Sequence, residues 1–239
     1  MKLSQFILVS AIGLWGLGQS VGSPAQNHLT PSQRRAPPPE DVRVLADFAQ
    51  CVARRDAGPA RALLAMDYRT EAYQRALRHL VQDRGTECGP AGSLRFGGVL
   101  FAGGLAERLL RDGFQPGDLA SHVGLDPSRP PVAARGEVEM MDMCVVRAAP
   151  AEVAALLATV PETAAETAAL RAIAPHLAPC LRSGISVNQN RMMLRASLAL
   201  AAYRLSDYNG FALAGTQAAA VSGAHDRRPR RGGELRQAP

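Results

Sequence analysis

CVARRDAGPARALLAMDYRTEAYQRALR, residues 51–78, recurs 93 positions later as CVVRAAPAEVAALLATVPETAAETAALR, residues 144–171, with 12 of 28 positions identical and no gap. Alanine bias supplies some of those matches. It does not supply Cys51/Cys144, Arg54/Arg147, Thr70/Thr163 and Arg78/Arg171 in a single register. Each copy then reaches a second cysteine at nearly the same distance, Cys88 or Cys180, and a closing run, GLAERLL at 104–110 or AAYRLS at 201–206. Self-similarity at a fixed period marks a duplicated structural unit. It describes how the chain is built and names no activity.

Inside the copies the pattern is helical. The chain is 47% hydrophobic with only 5% aromatic residues, which leaves Ala, Leu and Val to make the core. Small and straight-chain residues favour helix. Glu40 and Asp41 follow a run of prolines, where acids suit a helix start. Val42, Leu45, Phe48, Ala49 and Val52 then fall on one face at helical spacing, with Cys51 beside them near the C-terminal end. Arg54 and Arg55 occupy the last turn. Pro59 and Pro150 fit the start of a short second helix. Thr70 is expected to cap a third, and Thr163 with Glu166 spells the S/T-x-x-E capping box in the second copy. Both third helices are expected to run out into loops carrying Cys88 and Cys180. The fourth helices are expected at about 94–111 and 191–205. Gly97, Gly98, Gly103 and Gly104 fall in the first of these, at roughly 1 kcal/mol each against Ala. Close approach of another helix to the Gly98, Ala102 and Ala106 face would offset that cost.

The expected architecture is therefore all-α: two tandem Cys-clasped repeats of three to four helices each, packed as one pseudo-twofold body. Repeat one spans residues 40–113 and repeat two 137–210, joined by a Pro- and Gly-containing connection, 114–136, with at most one helical turn near 118–123. The flanks read as a signal peptide (1–25), a Pro-rich linker (26–39) and a disordered basic tail (211–239).

The net charge of +6 belongs to those flanks. Residues 1–39 carry +3 and residues 222–239 another +3, which leaves 19 Arg against 19 acids between them. A nucleic-acid-binding domain carries its positive charge as a patch on the folded body, so nucleic acid is not an expected partner. The N-terminus has one cation, Lys2, an apolar stretch from Phe6 to Leu17, and small residues at Ser23 and Ala25. That is the grammar of a cleaved secretory signal, too short to span a bilayer, and no stable membrane span is expected after its removal. Export changes the reading of the cysteines. An even count in an oxidising compartment points to disulfides. Of three formal pairings, the duplication favours one bridge per copy, Cys51–Cys88 and Cys144–Cys180. A metal site would need close CxxC pairs or histidine partners, and neither occurs.

Catalytic strings are missing as well: no HExxH, GxSxG, Walker-A or GxGxxG is present. No cofactor is expected. Of five histidines, His122 is the one placed in a connection where it could shape a cleft. No acid recurs at equivalent positions. The recurring charges are all arginine: Arg54/Arg147, Arg78/Arg171, Arg95/Arg191 and Arg108/Arg204. A repeated arginine suits a repeated anion, or it braces its own copy by bonding helix-end carbonyls or a neighbouring acid; the second is expected.

The layout resembles a set of small, Ala/Arg-rich exported proteins of sphingomonad-type alphaproteobacteria, which carry a repeated pattern close to C-V-[AV]-R…LLA…L…C…LR…A…YR. The match covers residues 48–111 and 140–205. The first copy departs at its end, with Glu107 before Arg108 where the second has Tyr203 before Arg204. The resemblance implies export and the duplicated helical layout, and no activity. The functional expectation is a periplasmic or secreted binding protein without catalytic chemistry, whose partner belongs to the envelope or the medium. The alternative is a cell-envelope hydrolase using a carboxylate pair hidden among the 19 acids.

Overall fold

A computed structural model describes residues 37–89, 97–113 and 116–210. The expected signal peptide, nearly all of the linker, Arg95 and the expected tail lie outside the described residues. Among the described residues every regular element is helical. In chain order these are α1 (Pro39–Arg55), α2 (Ala57–Ala65), α3 (Glu71–Cys88), α4 (Gly98–Gly113), α5 (Leu119–Val123), α6 (Glu137–Ala148), α7 (Pro150–Ala158), α8 (Ala164–Leu177) and α9 (Arg191–Tyr208). Short 3-10 turns occupy Pro116–Asp118 and Ala178–Cys180.

Local chemistry explains the boundaries. α1 opens with Pro39, Glu40 and Asp41 and closes on Arg54 and Arg55, so both ends match the helix dipole. Its buried face is Val42, Leu45, Phe48, Ala49 and Val52. Thr70 caps α3 by accepting the Tyr73 N–H at 3.2 Å, and Thr163 caps α8 by accepting that of Glu166 at 3.3 Å. Pro150 is the first residue of α7, whereas α2 starts two residues before Pro59.

At the centre α4 packs on α9, with α1 against the other side of α4 and α6 against α9. Glycine makes that possible. A Cβ on Gly103 would stand 2.6 Å from the Ala196 Cα of α9, and one on Gly104 would stand 2.6 Å from the Ala49 Cβ of α1. Any larger residue at either position must push a neighbouring helix away. The close approach thus falls to Gly103 and Gly104, not to the expected Gly98, Ala102 and Ala106 face; Gly98 meets the Leu77 side chain instead. Phe48 and Phe101 pack ring to ring at 5.3 Å in the same core.

Two disulfides are present, Cys51–Cys88 and Cys144–Cys180. The second cysteine of each lies closer to helix than expected. Cys88 is the last residue of α3, and Cys180 ends the 3-10 turn that continues α8. In the connection, the single helical turn is α5, whose Leu119 and Val123 are buried. His122 therefore sits on α5 and not in a loop, with its carbonyl accepting from Asn209 at 2.7 Å. Among the described residues no helix is long and apolar enough to cross a membrane.

Candidate functional site

The repeated arginines do not converge. Arg54, Arg78 and Arg171 are exposed. Arg108 pairs with Asp112 one turn along α4 (2.8 Å), and Arg147 donates to the Val123 carbonyl (3.3 Å). Arg191 bridges Glu162 (3.0 Å) and Glu166 (2.7 Å), while Arg204 pairs with Glu139. Where partners are seen they are acids or carbonyls of the same chain, and no two of these arginines share one.

A different arginine organises the interior. Arg195 on α9 is 4% exposed, yet its guanidinium is saturated. It forks onto Glu107 of α4 (2.7 and 2.9 Å) and reaches Glu166 of α8 (3.2 Å). It also donates to the Thr159 hydroxyl (2.8 Å), the Thr159 carbonyl (2.9 Å) and the Leu156 carbonyl (3.1 Å). Burial works against the cation, but hydrogen bonding and charge from Glu107, then Glu166, outweigh it and hold Arg195 above the ordinary guanidinium value. Glu166 is drawn so far into this network that it meets the N–H of Glu162 (2.9 Å), one residue short of the capping-box target. Glu162 has a left-handed backbone (φ 63°), uncommon for a non-glycine residue. Every member has a partner, so this site is braced and closed to a ligand.

An open cleft of about 580 Å³ lies among α2, α3, α4, α6, α9 and the segment 185–189. Its walls are mainly apolar, with Leu64, Met66, Tyr73, Val99 and Leu200 among them, and Val138 and Ile185 remain exposed beside it. Preformed, largely apolar concavities with a few polar groups are how proteins hold small molecules. The polar groups here include Arg135, Arg204, Glu137, Glu139, Asp142, Ser186, Asn188, Gln189 and Ser197. Glu139 is committed to Arg204, and Glu137 takes Arg182 at the rim (2.9 Å).

Asp142 differs from these. It is 1% exposed, and neither carboxyl oxygen has a hydrogen bond of good geometry. The nearby Ser197 hydroxyl donates to the Leu194 carbonyl (3.2 Å) and accepts from Gln189 (3.1 Å). Burial pushes Asp142 up to about 7, against a lowering by Ser197 and with a further rise from the Glu139 charge. The consequence for stability has a definite sign. The folded value lies above the ordinary value near ~3.9, so folding retains a proton that the unfolded chain releases. That contribution is whole below about pH 4 and is lost as pH rises through about 7. Asp142→Asn removes the titration. The variant is expected to match the parent near pH 4 and to exceed it at pH 8 by up to about 4 kcal/mol, read by urea unfolding at both values.

Sequence reasoning missed Asp142, Arg195, Glu107 and Glu166 as a class. Signals existed for three of them, an acid inside the apolar face of EVEMMDMCVV, an arginine inside RMMLRASLALAAYRL, and Glu107 as the departure between the closing runs, while Glu166 read only as half of a capping box. Among the described residues no cluster of His, Cys, Asp and Glu could hold a metal ion. Compared with protein-family models, curated proteins and solved structures, the chain matches none.

Proposed function

We propose that the protein is an exported, non-catalytic binding protein built by duplication, in which one of two equivalent spaces between helices is open as a ligand site. Several features support the duplication. α7 starts and ends 93 positions after α2, and α8 starts 93 after α3. The residues before α2 and α7, Asp56 and Ala149, have nearly the same backbone angles, and each N–H returns to the carbonyl four residues back, Val52 or Val145. A pseudo-twofold axis then runs between α4 and α9, which are related by 96 positions, as in Arg108/Arg204.

Under that correspondence the open cleft and the closed network are counterparts. Tyr68, Tyr73, Val99, Val138, Glu139 and Leu200 line the cleft. Their counterparts Pro161, Glu166, Arg195, Leu45, Ala46 and Gly104 line a remnant of only about 40 Å³. Arg195, Glu107 and Glu166 fill one space; Val99 and Tyr73 line the other. This asymmetry carries the reading. A chain under no demand but folding gains by filling both spaces, because unfilled volume forfeits packing contacts.

The two disulfides fit an oxidising compartment. With the leader-like N-terminus and the sphingomonad-type resemblance, they support a periplasmic or secreted location and a ligand from the envelope or the medium. One observation favours a hydrolase, since an acid near neutrality suits proton transfer. Against it, Glu139 is neutralised by Arg204, so a two-carboxylate mechanism lacks its second member.

Titration with the neutral dye Nile red tests the binding reading. Saturable one-to-one binding is expected, lost in Val99→Trp, whose indole fills the cleft, and kept in the exposed-site control Arg78→Ala. Binding that ignores Val99→Trp, or no saturable binding, overturns it.

A further inference from the structure

The open cleft holds three buried acceptors with no hydrogen bond of good geometry: both carboxyl oxygens of Asp142 and the side-chain carbonyl oxygen of Gln189. Leaving a buried acceptor unpaired is costly, and more so for a charged one, and the same cleft holds all three. The two other acids of the cleft are already paired. From α6, Glu139 is paired with Arg204 of α9 and Glu137 with Arg182. Arg135, from the connection, lies 5.8 Å over the Tyr68 ring and donates to the Ala65 carbonyl (3.4 Å). Its charge acts on Tyr73 and Asp67, and it does not figure among the influences on Asp142. Tyr73 of α3, pushed up to about 12 by burial, stays neutral through the physiological range. Asp142 is thus the acid in the cleft without a cationic partner.

Resting on the cleft as a ligand site, we propose that its occupant is an amphiphilic primary amine, the ammonium meeting Asp142 and Gln189 and the hydrocarbon body lying along Leu64, Val99 and Leu200. The match is one of number and sign. A primary ammonium brings three donors on one atom, and three acceptors wait. Its charge offsets that of ionised Asp142, the acid of the cleft without a cationic partner, and charge-assisted hydrogen bonds are about twice as strong as neutral ones. An alcohol brings one donor and no charge. A carboxylate brings charge of the wrong sign. The volume, about 580 Å³, accommodates an alkyl chain of ordinary length.

A pH signature follows. The amine stays protonated throughout, since alkylammonium groups titrate near ~10.4. The change falls on Asp142, which must release its proton to receive the ammonium, so affinity declines as pH drops below neutrality.

Calorimetric titration of the oxidised full chain with octylamine, 1-octanol and octanoate, at pH 8 and pH 6, tests this. At pH 8 octylamine is expected to bind at least tenfold more tightly than octanol, with octanoate weakest. At pH 6 its advantage shrinks by about tenfold. Asp142→Asn removes the preference for octylamine over octanol together with its pH dependence; Gln189→Leu narrows that preference by a smaller factor. Octanol or octanoate binding as tightly as octylamine overturns the amine proposal while leaving the cleft as a ligand site. A preference that survives Asp142→Asn does the same. Binding of none of the three overturns the cleft reading itself.

Discussion

Replacing Arg195 by methionine is expected to lower the unfolding free energy by about 3–5 kcal/mol, the cost of stranding a buried charge. Glu107 is 5% exposed and would face an apolar side chain with its negative charge uncompensated. Glu166 would lose one of its two cations and keep the other, Arg191. The Thr159 carbonyl, which accepts from Arg195 where α7 ends, would lose that donor, while the Leu156 carbonyl would keep the Thr159 N–H and hydroxyl. Against a typical net stability of ~5–15 kcal/mol, such a loss is severe. Urea unfolding of the single variant measures it. A second variant separates charge from packing: Arg195→Met with Glu107→Met removes the stranded carboxylate, and apolar replacement of a buried pair is often close to neutral. The double variant is therefore expected to recover most of what the single one loses. A single variant within 1 kcal/mol of the parent would show that the network is not desolvated as its burial implies.

That network also shows where sequence reading stops. The helices were legible because their signals are local: an apolar period, a threonine at the cap, acids at one end and arginines at the other. The bridges were legible because the duplication halves the problem. Pairing Cys51 with Cys88 predicts the pairing of Cys144 with Cys180, and both are found. Arg195 and Glu107 lie 88 positions apart and obey no period. Nothing in either neighbourhood says that the two helices carrying them meet face to face.

The glycines fall between those cases. Four of them in one helix signalled a close approach, but counting fours did not single out Gly103 and Gly104. Two different neighbours press on adjacent positions: α9 on Gly103 and α1 on Gly104. Consecutive residues on one helix serve a sandwich of three helices, whereas a single-face pattern describes only a pair. Asp142 escaped for a further reason. Looking for acids that recur finds what both copies share, and this cleft is made of what they do not share. In the proposed 93-position correspondence Asp142 falls on Ala49, wholly buried beside Gly104.

Removing either disulfide should cost about 4 kcal/mol, as replacement of both members of a pair by alanine would show. The bridges span 37 and 36 residues, and chain-entropy arithmetic gives ~4 kcal/mol for loops of that length. Cα separations of 5.6 and 5.5 Å lie in the ordinary range for the bond. The effect matters here because of what each bridge holds. Cys51 lies near the end of α1 and Cys88 at the end of α3, so the first bridge pins the helix that packs on α4. The second pins α6, which carries Asp142 and Glu139, to the turn after α8. Both pairs are therefore expected to lower stability alike. Loss of Cys144 and Cys180 should in addition weaken ligand uptake, because α6 forms a wall of the cleft. Peptide mapping under non-reducing conditions checks the pairing, and unfolding curves of the two double variants check the magnitude. A bridge joining Cys51 to Cys144 would break the copy-by-copy arrangement. Four free thiols in protein recovered from the envelope would remove the argument for export together with it.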